Sequence, residues 1–319
     1  MVSTVEDGRP AVNGSLDVSR LRLLREVALR GSIAAASREV GLTPSAVSQQ
    51  LAVLEREAGT ALLDRTPRGV RLTGAGHALV DRATGILQLL EAARADLDRL
   101  TGELAGPVRV GTVASAAAAL VSAAATRLAR QHPELDLRVS VAEPAASIEA
   151  LIAGDLDLAV VDVYDGVPVA VPDYLQSVDL CTEPLVLVSA EGTFPSGEKV
   201  KLVDLVERDW VMPPAEAACG QAVRAACRRL GFEPRVRWET DDMLLLVRAV
   251  AQGHGVAVLP RLAVADDVAE VVIQPLDEPD MTRRLLALTR TSSSERPVIR
   301  AVLDELAGAA VTEQSAATA

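Results

Sequence analysis

The sequence predicts an α+β protein in three parts: an N-terminal winged helix-turn-helix, one long helix, and two α/β lobes. Three patterns predict it. Within residues 17–76, two short helix signals flank a glycine turn and are followed by a basic hairpin signal. From Leu79 to Leu104 an apolar repeat with alternating steps of four and three runs without a proline. Beyond Gly106-Pro107, strand-like and helix-like runs alternate to residue 307, the pattern of helices covering a parallel sheet.

Residues 1–16 are expected to be a disordered leader, and they lack the apolar segment of a signal peptide. Leu16 to Arg30 forms a first helix whose Leu16, Leu21, Leu24, Val27 and Ala28 face inward. Ser32 caps a second helix, Ile33 to Val40, and Gly41 lets the chain turn out of it. Thr43 caps a third helix with Pro44 at its first position, where the missing N–H costs nothing. In that helix Val47, Leu51 and Leu54 fall at i, i+4 and i+7 and must face a core, which leaves Ser45, Ser48, Gln49 and Ala52 outward. From Leu62 to Thr73 the chain reads as a strand, a Pro-Arg-Gly turn and a return strand, with Arg65, Arg68 and Arg71 at or beside the tip.

Short hydroxyl and amide side chains on an outer helix face suit hydrogen bonding to base edges in a major groove. A basic wing beside them suits the phosphate backbone or minor groove. The alternative for the helix pair alone is a plain helical hairpin. The run through Leu21-Arg22, Val27-Ala28, Gly31-Ser32, Ala35-Ala36, Leu42 to Ser48, Leu54-Glu55, Gly59, Leu62, Arg65, Arg68-Gly69, Leu72-Thr73 and Gly76 resembles the N-terminal half of the LysR-type transcriptional regulators. Leu24 and Leu63 depart from it, standing where that family usually has Phe, a change of packing rather than of contact with DNA. The resemblance continues in layout to near residue 306. Pro44, Ser45, Ser48 and Gln49 are expected to read bases beside Thr43, with Ser32, Arg65, Arg68 and Arg71 on phosphates or in the minor groove.

Charge follows the same division. The chain carries a net −12, yet residues 17–76 hold nine Arg against six Asp and Glu, a local +3 that leaves −15 elsewhere. A basic face neutralises phosphates, and the acidic remainder discourages indiscriminate binding.

Thr73 can cap a long helix from about Ala75 to Leu104, with residues 77–105 as a linker. Leu79, Ala83, Ile86, Leu90, Ala93, Leu97 and Leu100 recur with a period of 3.5, the seam of a coiled coil. A homodimer places two recognition helices on an inverted repeat in double-stranded DNA. The family resemblance implies the same pairing, adds a possible homotetramer, and makes RNA polymerase a partner.

Residues 107–307 divide into lobe I, about 107–182 and 281–307, and lobe II, about 183–275, with 308–319 a flexible tail. Strands are expected at Val108 to Gly111, Leu135 to Val141, Leu156 to Val161, Leu185 to Ser189 after a transition at Cys181 to Pro184, Val256 to Leu259 and Arg284 to Thr289. Helices are expected at Ala114 to Arg130, Ser147 to Ala153, Gly220 to Leu230, Asp242 to Gln252 and Pro297 to Ala307. The LysR resemblance implies a periplasmic-binding-protein-like module with a small-molecule effector between the lobes. Ligands of open α/β sheets sit beyond strand carboxyl ends, near helix N-termini. That rule selects Thr112, Ala114, Ser115, Glu143, Asp162, Cys219, Gly220, His254 and Gly255. Each also has a local reading: a helix cap for Thr112 and Ser115, a solvated loop acid for Glu143 and Asp162, a loop histidine for His254.

An enzyme is not expected. His77, His132 and His254 lie in three separate elements, and no HExxH, CxxC, GxSxG or GxxxxGK[ST] occurs, so no metal site or cofactor is called for. The rival for the signal is a thiol switch on Cys219 and Cys227. If they share one helix, their eight-residue spacing puts them roughly 12 Å apart, too far for a disulfide without unfolding it. The three cysteines and the absence of a membrane span point to the cytoplasm.

Overall fold

The structure is a computed structural model that describes residues 15–318 except 67–68, 102–103, 168, 196–197 and 265–269. The expected leader lies almost wholly outside the described residues. The chain divides into two compact units, Met1–Arg94 and Ala95–Ala319.

In the first unit α1 (Val18–Arg30), α2 (Ile33–Glu39) and α3 (Pro44–Ala58) precede a hairpin of β1 (Leu63–Thr66) and β2 (Gly69–Leu72), after which α4 (Gly74–Thr101) begins. Capping sets the boundaries. Asp17 accepts from the N–H groups of Ser19 and Arg20, so α1 starts at Val18 and Leu16, expected inside it, is exposed. The Ser32 hydroxyl accepts from Ala35 N–H and the Thr43 hydroxyl from Ala46 N–H, each satisfying one orphan donor of its helix. Leu21, Leu24, Val27, Ala36, Val47, Leu51, Leu54 and Leu62 are buried together. Each large side chain there contributes about 1.5–3 kcal/mol. Two long-range contacts fix α3. Arg20 pairs with Glu57 from α1, and Glu55 Oε1 accepts from the N–H groups of Leu62 and Leu63 at 2.9 and 3.0 Å, holding the wing to the recognition helix.

The long helix corrects the expected seam at its ends. Ala83 is buried in the first unit's own core, with Leu79 packed against it, so neither is free to face a second chain. Leu104 lies beyond the helix and packs in the second unit's core. Ile86, Leu90, Ala93, Leu97 and Leu100 stay exposed, Leu100 at 84%.

The second unit follows the order β3 (Gly106–Thr112), α5 (Ala114–Ala116), a π turn (Ala117–Val121), α6 (Ser122–Gln131), β4 (Leu135–Val141), α7 (Pro144–Ala153) and β5 (Leu158–Tyr164). The expected single helix from Ala114 is therefore interrupted by a π turn. Next come β6 (Leu175–Ala190), β7 (Asp209–Met212), α8 (Ala218–Arg229), β8 (Arg235–Glu239), α9 (Met243–Ala251), β9 (Ala257–Pro260), β10 (Val271–Pro275), β11 (Thr282–Arg290) and α10 (Pro297–Thr318). A short 3-10 turn, Leu202–Leu205, lies between β6 and β7.

The main sheet has seven strands and is mixed rather than parallel. β3 pairs in parallel with β4 and β5, but β11 runs antiparallel to both β5 and β6. β11 is inserted between β5 and β6, so those two strands run parallel to each other with an antiparallel strand between them. The break expected near Cys181 to Pro184 does not occur. β6 is one continuous strand of 16 residues whose Leu175–Pro184 half pairs with β11 and whose Leu185–Ala190 half pairs with β9 and β10. Pro184 is tolerated because it sits where β6 changes partners, and the next N–H, of Leu185, is taken by Met281 O at 2.8 Å.

The tail is also corrected. α10 continues past Ala307 to Thr318, and Ala309 and Ala310 are buried with Val298, Ile299, Val302 and Leu306. The cost of Gly308 within a helix, about 1 kcal/mol, is offset by that burial.

Candidate nucleic-acid interface and ligand cleft

On α3 the residues between the capping threonine and the buried Val47 stand outward. Pro44, Ser45 and Gln49 are exposed and Ser48 is half-buried. Thr43 Oγ1, besides capping the helix, lies 3.0 Å from Ser45 Oγ, which organises the first turn. Ser32 is thus a structural cap whose hydroxyl proton remains available to an acceptor such as a phosphate, while the Thr43 hydroxyl both caps α3 and pairs with that of Ser45. In the wing, β1 and β2 pair from Leu63↔Leu72 to Thr66↔Gly69, which puts Arg71 opposite Asp64. Arg71 is exposed. Arg65 is on β1, and Arg68 lies outside the described residues.

In the second unit the strand ends converge as the sheet rule requires. Ala114, Ser115, Glu143, Asp162 and Cys219 line one small cavity of about 40 Å³ with Val113, Pro213, Ala217, Asp241, Met243 and Arg283. Four expected residues are not there. Thr112 is fully buried, and its hydroxyl donates to Val113 O. Gly220 packs α8 against the preceding loop, where a Cβ would come within 2.0 Å of Pro214 O. Gly255 meets Asp209 O in the same way, at 2.4 Å. His254 stacks on Trp238 with ring centroids 4.9 Å apart. Short-range sequence cues cannot distinguish a glycine needed for close packing from one needed for a ligand.

The residue that organises the cavity, Arg283, was not among the expected ones. It is 1% exposed, yet its guanidinium is fully engaged. Nε donates to Glu183 Oε1 at 2.8 Å, Nη2 donates to the same oxygen, and Nη1 donates to Ser115 Oγ at 2.7 Å and lies 3.5 Å from Asp162 Oδ2. Glu183 is held in turn by Leu262 N–H, and Asp162 Oδ2 accepts from the Tyr164 hydroxyl at 2.9 Å. Burial opposes the charge of Arg283, but Tyr164, Glu183 and Asp162 together outweigh it and raise its pKa. The strand expected from Arg284 begins two residues earlier, at Thr282, and so takes in Arg283. In a strand flanked on both sides, alternation of Thr282, Arg283 and Arg284 is the only signal that sends Arg283 inward.

Glu143 sits at the cleft rim and accepts from the Ala218 N–H, the first residue of α8. Partial loss of water raises its pKa, and the charges of Asp162 and Asp241 raise it further. Beside it a larger cavity of about 410 Å³ is walled by Pro144, Ile148, Ile152, Val167, Val169 and Pro172, with Glu149, Glu216 and Gln221 as further polar lining. The thiols offer little chemistry. Burial pushes Cys219 and Cys227 up to about 12 and Cys181 to about 11, so all three stay protonated near neutrality. Cys219 and Cys227 do share α8, the arrangement too extended for a disulfide. Among the described residues no cluster of His, Cys, Asp or Glu is placed to hold a metal, and no helix is long and apolar enough to cross a membrane.

A helix-turn-helix with a wing, joined in one chain to a two-lobed domain with a cavity between strand ends, defines an effector-responsive DNA-binding protein. Residues 18–77 match the bacterial regulatory helix-turn-helix protein, lysR family, and residues 101–310 match the LysR substrate binding domain. The chain belongs to the LysR family of transcriptional regulators: it is a DNA-binding regulator with an effector-binding domain, not an enzyme. It is 31% identical over 275 residues to the small neutral protease regulatory protein of Streptomyces coelicolor, covering 84% of this chain and 85% of that protein. It is 29% identical over 249 residues to the transcriptional regulator BsdA of Bacillus subtilis, covering 77% and 84%. In fold it is similar to a full-length OxyR variant from Pseudomonas aeruginosa, with TM-score 0.70, 21% identity and coverage of 92% and 95%. A crystal structure of full-length CbnR with its target DNA gives TM-score 0.53, 20% identity and coverage of 92% and 99%.

Proposed function

We propose that this regulator acts in the cytoplasm as a homodimer that reads an inverted repeat, with Ser45, Ser48 and Gln49 on base edges and Pro44 against them. Ser32, Thr43, Arg65, Arg68 and Arg71 hold the backbone or minor groove. The observation that carries the reading is the exposed α3 face: short polar side chains project from a helix whose opposite side, Val47, Leu51 and Leu54, is fully committed to the core. The exposed stripe Ile86, Leu90, Ala93, Leu97 and Leu100 supports pairing through α4. Pairing of dimers into a tetramer rests on the family alone.

A small organic effector between the lobes, with no resident cofactor, shifts the populations of lobe arrangements, which changes the spacing of recognition helices and the contact with RNA polymerase. Ala114, Ser115, Glu143, Asp162 and Cys219 are the effector residues this reading keeps, joined by Arg283 and Asp241. A footprint of the purified protein on its own fragmented genome, at two salt concentrations, tests the DNA half. Sharp sites with dyad symmetry that survive the higher salt are the expected result; retention that is indifferent to sequence and vanishes with salt would overturn it. Sedimentation of Leu97→Asp tests the pairing: the variant should run as a monomer while retaining its folded signal.

A further inference from the structure

The cleft carries an imbalance of charge that bears on what it binds. Among the described residues lining its two cavities, the acids are Glu143, Glu149, Asp162, Glu216 and Asp241, and the only cation is Arg283. That cation is already consumed by Glu183, Ser115 and Asp162. The α8 N-terminus, which would otherwise draw an anion, is occupied by the chain's own Glu143. An anionic ligand has no free positive partner here and meets carboxylates on most sides.

One carboxylate oxygen is left over. Asp162 is only 8% exposed at its side chain, and while Oδ2 takes the Tyr164 hydroxyl, Oδ1 is buried with no hydrogen-bond partner. Native structures rarely leave a buried charged oxygen unsatisfied unless something else fills the position. Asp162 lines the 40 Å³ cavity, a volume close to that of one water or one ammonium group. Ser115 Oγ, whose lone pair takes Arg283, lines the same space. Glu143 from the first lobe and Asp241 from the second border it, and Glu143 also borders the apolar-walled cavity of about 410 Å³.

Taking the cleft as the effector site, we propose that the effector is a primary amine. Its ammonium seats on Asp162 Oδ1 between Glu143 and Asp241, and its carbon body lies in the adjoining chamber along Ile148, Ile152, Val167 and Val169. Such a ligand also explains how binding is felt by the whole domain. Glu143 and Asp241 lie on opposite lobes and repel each other, and a cation between them turns that repulsion into attraction toward a common centre.

The test is calorimetric titration of the full-length protein with n-hexylamine and 1,5-diaminopentane, against hexanoate and adipate as shape-matched anions. Saturable binding of the amines alone is expected, weakened about tenfold or more by Asp162→Asn, the loss of a charge-assisted bond. Asp241→Asn, at an exposed position, should weaken it several-fold, and keeps the test decisive if Asp162→Asn misfolds. Saturable binding of the carboxylates instead, unchanged or tightened in Asp162→Asn, would overturn the amine while leaving the cleft as the effector site. No binding of either class, with an operator footprint unaltered by both, would overturn the amine and the cleft reading together.

Discussion

The recognition helix and the ligand cleft solve opposite problems. On the helix pair the functional groups lie at or near the surface, and each helix is set by a cap a few residues away: Thr43 caps Ala46 on α3, Ser32 caps Ala35 on α2. In the cleft the groups are buried and drawn from far apart, Arg283 reaching Ser115 across 168 residues and Glu183 across 100. The first surface is cheap to build and easy to vary, because exposed polar side chains pay no desolvation and disturb no core. The second is expensive to build, and its charges stabilise only as a set, since removing one leaves its partners buried and uncompensated.

That contrast predicts unequal responses to mutation. Arg283→Met should be the most damaging single change, strands Glu183 and Asp162 without their cation, and costs about 3–5 kcal/mol, read as a lower urea midpoint for the second unit. Glu55→Ala comes next. It orphans the N–H groups of Leu62 and Leu63 and should cost about 1–3 kcal/mol in the stability of the first unit, with wing amides exchanging faster by hydrogen exchange. Gln49→Ala should leave both units as stable as the parent and relax discrimination at one base pair by about 1–3 kcal/mol, measured on a panel of single-base operator variants. If Gln49→Ala unfolded the protein, or Arg283→Met did not destabilise it, the contrast itself would fail.

The smallest effect is expected at the thiols. Cys219 and Cys227 have pKa values near 12 and would form thiolate only as pH approaches that value. Peroxide at pH 7–8 should therefore produce no sulfenic acid at either, by mass spectrometry of the folded protein, and DNA binding should not change.

The two regions also differ in how far they can be read before folding is known. The helix pair, its caps, the glycine turn and the wing strands are legible because the signals are local: a Ser or Thr before an apolar period, a Pro at the first turn, a turn sequence between two short strands. Five cleft residues, Ala114, Ser115, Glu143, Asp162 and Cys219, were reachable by the rule that strands deliver their carboxyl ends to a common edge. Arg283 and Asp241 were not. An Arg-Arg pair opening a strand reads as solvated, and only the pairing of β11 with β5 on one side and β6 on the other buries Arg283. Thr112, His254 and the two glycines failed for the complementary reason: each has a packing role that sequence position alone does not separate from a ligand role. At the chain's far end, Gly308 marks a stop only for an isolated helix, and the buried Ala309 and Ala310 carry α10 past it.

The unbroken β6 has a mechanical meaning. A strand that belongs to both lobes is a torsion bar rather than a loose tether, because it is clamped by β11 over one half and by β9 and β10 over the other. It cannot slip lengthwise: a shift of one residue would turn every inward side chain outward. Twist about its own axis is its compliant motion. The span where the partners exchange is the single step from Pro184, paired with Thr282, to Leu185, paired with Pro260. The chain's second crossing between the lobes, from β10 to β11, lies beside the first where Leu185 N–H donates to Met281 O, so the two together give the lobes a short common axis of rotation with little slack.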